Sequence, residues 1–409
     1  MDDTKPPRPG SREGEVPATV RGQTDLPATV RALGWTSFLT DLSSEAIYPL
    51  MPGFVRGLGG TAVEIGLIDG IANAVAAVVR LPAGAASDTF GRRPLVLFGY
   101  GLSALIRPLM GIAGSPLQVL LVRAADRFGK GIRSAPRDAL VADLVEPANR
   151  GRAFGHIRAM DHAGAAVGPL VAMLFLLLFP DRERMLFLLA LLPGLVTLAV
   201  IWRFVRDPPR RTAVPTTPPL AAGMTRSQVV LLACVAVWAL GASSEQFLLV
   251  RAADLGVPAA YIPLVWFATS LAKSVTASRA GRLADMVSPR IALAAGWIIF
   301  AAAYGGLAVA TSLPVALLLV AVVGVAYGLA EPAERALVAA LAAEGRHGGA
   351  FGWYAFVQGM MALPAGLLAG WLWERGPDGS GWAFAVTAVF SMIASGLVLV
   401  TGRRRPSMT

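Results

Sequence analysis

Twelve stretches of about 18 to 25 predominantly apolar residues follow one another along the chain, and each is long enough to cross a hydrocarbon layer about 30 Å thick. They fall near residues 30 to 52, 63 to 87, 94 to 113, 116 to 144, 152 to 179 and 184 to 205, then 226 to 250, 259 to 283, 290 to 312, 314 to 340, 349 to 373 and 381 to 401. A chain that is 55% hydrophobic and 15% charged, with a mean hydropathy of +0.60, carries more apolar surface than a water-soluble domain can hide. In lipid every backbone N–H and C=O must be satisfied within the segment, so runs of this length are helices. The expected fold is an all-α membrane protein of twelve transmembrane helices.

Between the second and third runs lies Gly84-Ala-Ala-Ser-Asp88-Thr-Phe-Gly91-Arg92-Arg93, whose polar residues cannot sit in hydrocarbon. Gly84 lets two helices approach closely, Asp88 lies on the same helical face, and Gly91 permits a tight turn. The pattern returns 197 residues later as Gly281, Asp285 and Arg290. The stretches Ala139 to Ala142 and Ala153 to Gly155 recur at that offset too, and Ser43-Ser44-Glu45 recurs as Ser243-Ser244-Glu245 at 200. Such a duplication implies two pseudo-symmetric six-helix bundles, as in parallel-repeat secondary transporters. The expected layout is a disordered tail over 1–29, a first bundle over 30–205, a linker over 206–225, a second bundle over 226–402 and a tail over 403–409.

The Gly-x-x-x-Asp-x-x-Gly-Arg-Arg spacing resembles the signature loop of the major facilitator superfamily. That resemblance reaches nearly the whole chain and implies a transporter working by alternating access, with this loop as a cytoplasmic latch. It implies that Asp88 accepts from a helix N-terminus of the other half; loop proximity would bring Arg92 or Arg93 to Asp143 or Glu146. The second copy is degraded, with Pro289 in place of the first Arg.

With both ends inside, the cytoplasmic connections hold about 21 Lys and Arg against about five outside, which sets orientation by the positive-inside rule. The first 27 residues hold five prolines and no apolar core, so they read as a cytoplasmic tail and the first span as its own insertion signal. The expected location is the cell membrane. A net charge of +10 does not indicate a nucleic-acid partner, because the arginines punctuate apolar segments instead of covering a folded face. The lone Cys234 sits in an apolar run and forms no intramolecular disulfide.

About ten basic and ten acidic residues lie inside the spans, where each costs several kcal/mol unless paired or hydrated. Asp41 and Glu45, four apart in span one, share a face and precede Tyr48-Pro49-Leu50-Met51-Pro52, whose prolines are expected to break the helix. The Pro pair resembles a first-span motif of the superfamily. Glu245 is the repeat partner of Glu45. In span four, Arg123, Arg127, Lys130 and Arg137 form one stripe that must face water, an acidic partner or an anion. Arg123 with Asp126 and Gly129 resembles the fourth-span Arg motif of proton-coupled antiporters, although Arg127 stands where that motif has Gly. The resemblance implies that Arg123 tunes a nearby proton site, here Asp41 or Glu45. In span five, Gly164, Gly168 and Pro169 resemble the Gly-x-x-x-Gly-Pro motif of the superfamily's exporters, with Ala172 at its last Gly. Arg158 and Asp161 sit three apart and pair locally, beside His162.

The proton-coupling candidates are therefore Asp41, Glu45, Glu245, Arg123, Asp126 and Asp161. Candidate solute contacts are Arg127, Lys130, Trp266, Trp353, Tyr354 and Gln358. No Walker loop, metal-ligand cluster or nucleophile constellation is present, so the expected protein is not an enzyme and uses neither cofactor nor metal. Its expected partners are a small solute, protons and the bilayer, and it is expected to act as a monomer. Proton-coupled export is the leading reading; an anion-handling permease using the span-four stripe and a non-transporting receptor are the alternatives.

Overall fold

A computed structural model describes residues 26–146, 149–207, 224–242, 244–286, 288–342, 347–376 and 379–401, without the side chains of 85, 88, 89, 150, 151, 278–286, 347 and 348. Most of both expected tails and of the expected linker lie outside the described residues. The helices form twelve rods in chain order. The first six are α1 (Ala28–Ile47, a 3-10 turn Tyr48–Leu50, then Met51–Gly57), α2 (Ala62–Phe90), α3 (Arg92–Ile106 with Arg107–Ile112), α4 (Pro116–Leu144), α5 (Arg150–Leu178) and α6 (Glu183–Leu189 with Leu191–Phe204). The second six are α7 (Arg226–Gly241, then Gln246–Asp254), α8 (Ile262–Met286), α9 (Pro289–Val309), α10 (Leu313–Leu341), α11 (His347–Arg375) and α12 (Ser380–Thr401).

Local chemistry starts and stops these rods. Thr61 accepts from the Glu64 N–H while the Glu64 side chain accepts from the Thr61 N–H, and Thr225 and Gln228 repeat this reciprocal cap at the start of α7. Gly91, at φ +89°, turns α2 into α3 in a backbone conformation that a side chain would strain. The expected break at Pro49 and Pro52 is present: the α-helix stops at Ile47 and resumes at Met51. Pro49 falls within the short 3-10 turn and Pro52 at the first turn of the next segment, where a missing N–H breaks no helical bond, so α1 runs on to Gly57.

Among the described residues nine of the rods are long and apolar enough to cross a membrane; α1 and α4, which carry most of the charges singled out above, are not in that set. Within the first bundle α1 packs on α5 and α4 on α2 and α3; within the second, α9 packs on α10 and α12, and α8 on α10. The bundles meet along α2 with α11 and α5 with α8. Small residues make the first seam. A Cβ on Gly66 would fall 2.0 Å from the Gly366 carbonyl oxygen, and one on Gly370 would fall 2.6 Å from that of Ala62.

The two ends of the bundle differ. At the end opposite the termini, the last segment of α1 packs on that of α7, and Arg56 pairs with Asp254 across the halves at 2.5 Å. Toward the termini, α4 and α10 are not closely packed on one another among the described residues.

Candidate transport site

The charges of α4 divide between a buried network and the space between the halves. Arg123 is buried, its Nη1 3.7 Å from Asp126 Oδ2 and its Nη2 4.0 Å from Asp69 Oδ1, with the guanidinium 5.2 Å from the centre of the Tyr48 ring. Asp126 Oδ1 also accepts from Arg107 Nη2 at 2.9 Å, and Arg107 Nη1 donates to Ser43 Oγ at 2.8 Å and to the Thr40 carbonyl at 3.1 Å. Two arginines and two aspartates thus neutralise one another and tie α1, α2, α3 and α4 together. Arg137 donates to Ser37 Oγ at 2.9 Å and lies 3.6 Å from Asp161, which Arg158 approaches at the same distance.

The remaining stripe residues face the space between the halves. Lys130 is exposed and Arg127 half-buried. Lys130 interacts electrostatically with Asp41 and Glu45, and Asp41 in turn with Asp161 and Glu45. The cation beside the span-one carboxylates is therefore Lys130. Arg123, expected in that role, is drawn away by the shorter reach to Asp126 and Asp69.

Two of the hydrogen bonds that cross between the halves end on carboxylates of the first bundle. Trp266 Nε1 on α8 donates to Glu45 Oε2 on α1 at 2.8 Å, and Ser244 Oγ, in the break of α7, donates to Asp69 Oδ2 on α2 at 2.7 Å. Asp69 and Trp266 are 197 positions apart and Ser244 adjoins Glu245, the repeat partner of Glu45, so the two bonds occupy repeat-related places. Glu245 lies within electrostatic reach of Lys273, Asp69, Glu45 and Glu331.

In the second bundle Glu334 of α10 is 2% exposed. It accepts from Trp297 Nε1 and Gln358 Nε2, both at 3.2 Å, and from the Tyr354 hydroxyl. Tyr354 and Gln358 thus meet around a carboxylate not singled out from the sequence. Trp353 stacks edge-on to Phe356 at 5.6 Å instead of entering this group.

For the packing motif, a Cβ on Gly164 would come 2.3 Å from the Phe38 carbonyl oxygen and one on Gly168 2.6 Å from that of Leu42, so α5 lies against the α1 backbone. Pro169 is inside α5. Gly84 differs from expectation. A Cβ there meets only Ala135 Cβ at 3.6 Å, an ordinary contact, and the close approach of α2 and α4 is made at Gly131, 3.0 Å from the Ala76 carbonyl oxygen. Arg92 Nη1 lies 2.8 Å from Asp143 Oδ2, while the Arg93 N–H donates to Asp207 Oδ1 at 2.8 Å. Arg290 stands in the first turn of α9. The side chain of Asp88 and those at Gly281 and Asp285 lie outside the described residues.

A family model described as Major Facilitator Superfamily matches residues 33–251 and 246–409. The chain belongs to the major facilitator superfamily. An MFS-type transporter of Methanocaldococcus jannaschii is 30% identical over 384 residues, covering 92% of this chain and 95% of the relative. Multidrug resistance protein MdtH of Yersinia enterocolitica is 33% identical over 152 residues, 36% of this chain and 38% of that protein. Among solved structures, a bacterial homologue of the human lysosomal transporter Spinster in an inward-facing, occupied conformation aligns with a TM-score of 0.76 at 16% identity, covering 92% of this chain and 98% of that one. The nucleoside transporter NupG aligns with a TM-score of 0.77 at 11% identity over 91% of this chain and 99% of that one. This membrane transporter superfamily accounts for the arrangement of the rods in two bundles.

Asp69, Arg107, Lys273, Glu331 and Glu334 join the candidate site without having been named from the sequence, and Ser244 was named only within the repeat. A signal existed for most of them, since five are ionisable groups inside apolar runs. The repeat offset alone relates Asp69 to Trp266.

Proposed function

We propose that this chain exports a small organic solute in exchange for protons, alternating as a monomer in the cell membrane with both termini cytoplasmic. The observation that carries this reading is the pair of bonds between the halves, each ending on a carboxylate, Glu45 or Asp69. A carboxylate that bonds the opposite half in one state and faces water in another exchanges its proton according to state, which is the requirement for coupling. The likeness of a third of the chain to a multidrug resistance protein supports export. With the termini inside, the Arg56–Asp254 contact ties the halves together at the external end. In this reading Asp41 and Glu45 titrate, Lys130 offsets their charge, and Glu245 is the next candidate.

A second reading, an anion-handling permease, is favoured by two observations: Lys130 is exposed and Arg127 Nε is buried without a hydrogen-bond partner. Growth of knockout and overexpressing strains on a panel of toxic compounds identifies the solute. In proteoliposomes an imposed pH gradient then drives that solute, and Glu45→Gln or Asp41→Asn uncouples it while binding survives. If both variants and the double variant respond to the gradient as wild type does, span one does not carry the proton. Competition by an anionic solute favours the permease reading instead.

A further inference from the structure

A cavity of about 280 Å³ opens within the second bundle, walled by Trp238, Tyr327, Tyr354 and Gln358 and floored by Glu334, with Lys273, Glu331 and Arg335 at its side. The hydrogen-bonding set around Glu334 is one-sided. Trp297, Tyr354 and Gln358 all present donors, the complement of a carboxylate that only accepts. Among the described ion pairs none includes Glu334. The nearby cations make their ion pairs with Glu331, Arg335 Nη2 at 2.6 Å and Lys273 Nζ at 3.6 Å from its carboxylate; Arg335 reaches Glu334 only through space, and Lys273 lies 4.9 Å from the centre of the Tyr327 ring. Neutral donors distribute a buried negative charge without cancelling it, and a charge in a low-dielectric setting calls for an opposite one.

Trp238 supplies an independent observation. It is 6% exposed, lines the same cavity, and its Nε1 has no hydrogen-bond partner. Its ring stacks on Trp297 with centroids 5.7 Å apart, and Tyr327 stands edge-on to it at 5.9 Å. An ammonium has no acceptor for that indole N–H, so what Trp238 brings to a cation is its ring face. Aromatic faces beside a carboxylate favour an organic cation over a hydrated metal ion.

We infer that this cavity is a subsite for a primary or secondary ammonium carried on a small aromatic or aliphatic body, with Glu334 as its counter-charge and the Trp238 and Tyr327 rings as its walls. Its volume fits one end of a solute, and the rest extends past Gln358 and Lys273 into the space between the halves. The assignment rests on the transporter reading only in making this the solute's site, because it concerns binding at equilibrium.

The test is isothermal titration calorimetry of the purified full chain in lipid nanodiscs, with no gradient, using three probes that share a phenethyl frame and differ in the charge of their head group: phenethylammonium, phenethyl alcohol and 3-phenylpropionate. The expected result is saturable binding of the ammonium, at least tenfold weaker binding of the alcohol, and none of the carboxylate. Glu334→Gln lowers ammonium affinity at least tenfold, Glu334→Asp retains part of it, and Trp238→Phe lowers it several-fold. Should Glu334→Gln fail to fold, the charge series on wild type still decides. Equal affinity of wild type and a folded Glu334→Gln, tighter binding of 3-phenylpropionate, or no saturable binding of phenethylammonium to wild type each overturns the assignment. Gradient-driven transport of another solute can survive any of these, so failure of the subsite and failure of the export reading remain distinguishable.

Discussion

Replacing Arg107 by Leu tests whether the buried network of the first bundle behaves as one neutral unit. Arg107 is 6% exposed and gives Asp126 its shortest ionic contact, 2.9 Å against 3.7 Å for Arg123. Without it, Asp126 and Asp69 face a single arginine, and Ser43 and the Thr40 carbonyl lose a donor. Removing one partner of a buried pair costs about 3 to 5 kcal/mol, because an uncompensated charge stays behind. Asp126→Leu leaves the opposite excess, two arginines against Asp69, with a similar cost. The double variant restores neutrality, since Arg123 keeps Asp69 at 4.0 Å. Its destabilisation is therefore expected to fall below the sum of the single effects by about 2 kcal/mol or more. Reversible denaturant unfolding in mixed micelles, followed by tryptophan fluorescence, measures all four corners of the cycle. Additivity within about 0.5 kcal/mol would refute the argument, because it would mean each charge is solvated independently.

Two further outcomes follow from the packing and the loops. Gly164→Ala, whose new methyl meets the Phe38 carbonyl oxygen at 2.3 Å, is expected to destabilise by about 1 to 3 kcal/mol, whereas Gly84→Ala, at 3.6 Å from Ala135, stays within about 0.5 kcal/mol in the same unfolding assay. Asp88→Asn should leave expression and folding intact but slow solute movement in vesicles, with a smaller effect for Asp285→Asn, where Pro289 replaces the first Arg of the repeat; normal transport by Asp88→Asn at wild-type expression removes the latch role.

The rods were legible because lipid imposes one solution on an apolar run, and span limits follow from where that run meets charge. The fate of individual charges was less so. Spacing put Arg123 on the same face as Lys130, but which aspartate each reaches depends on α2 and α3, through Asp69 and Arg107, and no periodicity within α4 encodes that. Gly84 illustrates the same limit. A small residue permits close approach, but the crossing point is fixed by the whole interface and fell at Gly131. The prolines of span one were legible as a break after Ile47, whereas the resumption of the helix at Met51 was not, since it depends on a 3-10 turn that absorbs them at positions needing no N–H.

The repeat explains placement, and its divergence explains chemistry. Positions 69 and 266 occupy related sites and each bonds the opposite half, yet one is an aspartate that accepts and the other a tryptophan that donates. Both bonds consequently end on a carboxylate of the first bundle, although the scaffold that aims them is shared by both. The second bundle keeps its own buried carboxylate, Glu334, deeper in α10 and away from these crossing bonds, surrounded by donors of its own half. Protonation of Glu45 or Asp69 changes an acceptor at the seam and so acts directly on how the halves associate. A change of charge at Glu334 acts within one half. On the proposed function and subsite, two identical halves could not divide these tasks, and the polar substitutions in an otherwise repeated scaffold would separate control of association from recognition inside a bundle.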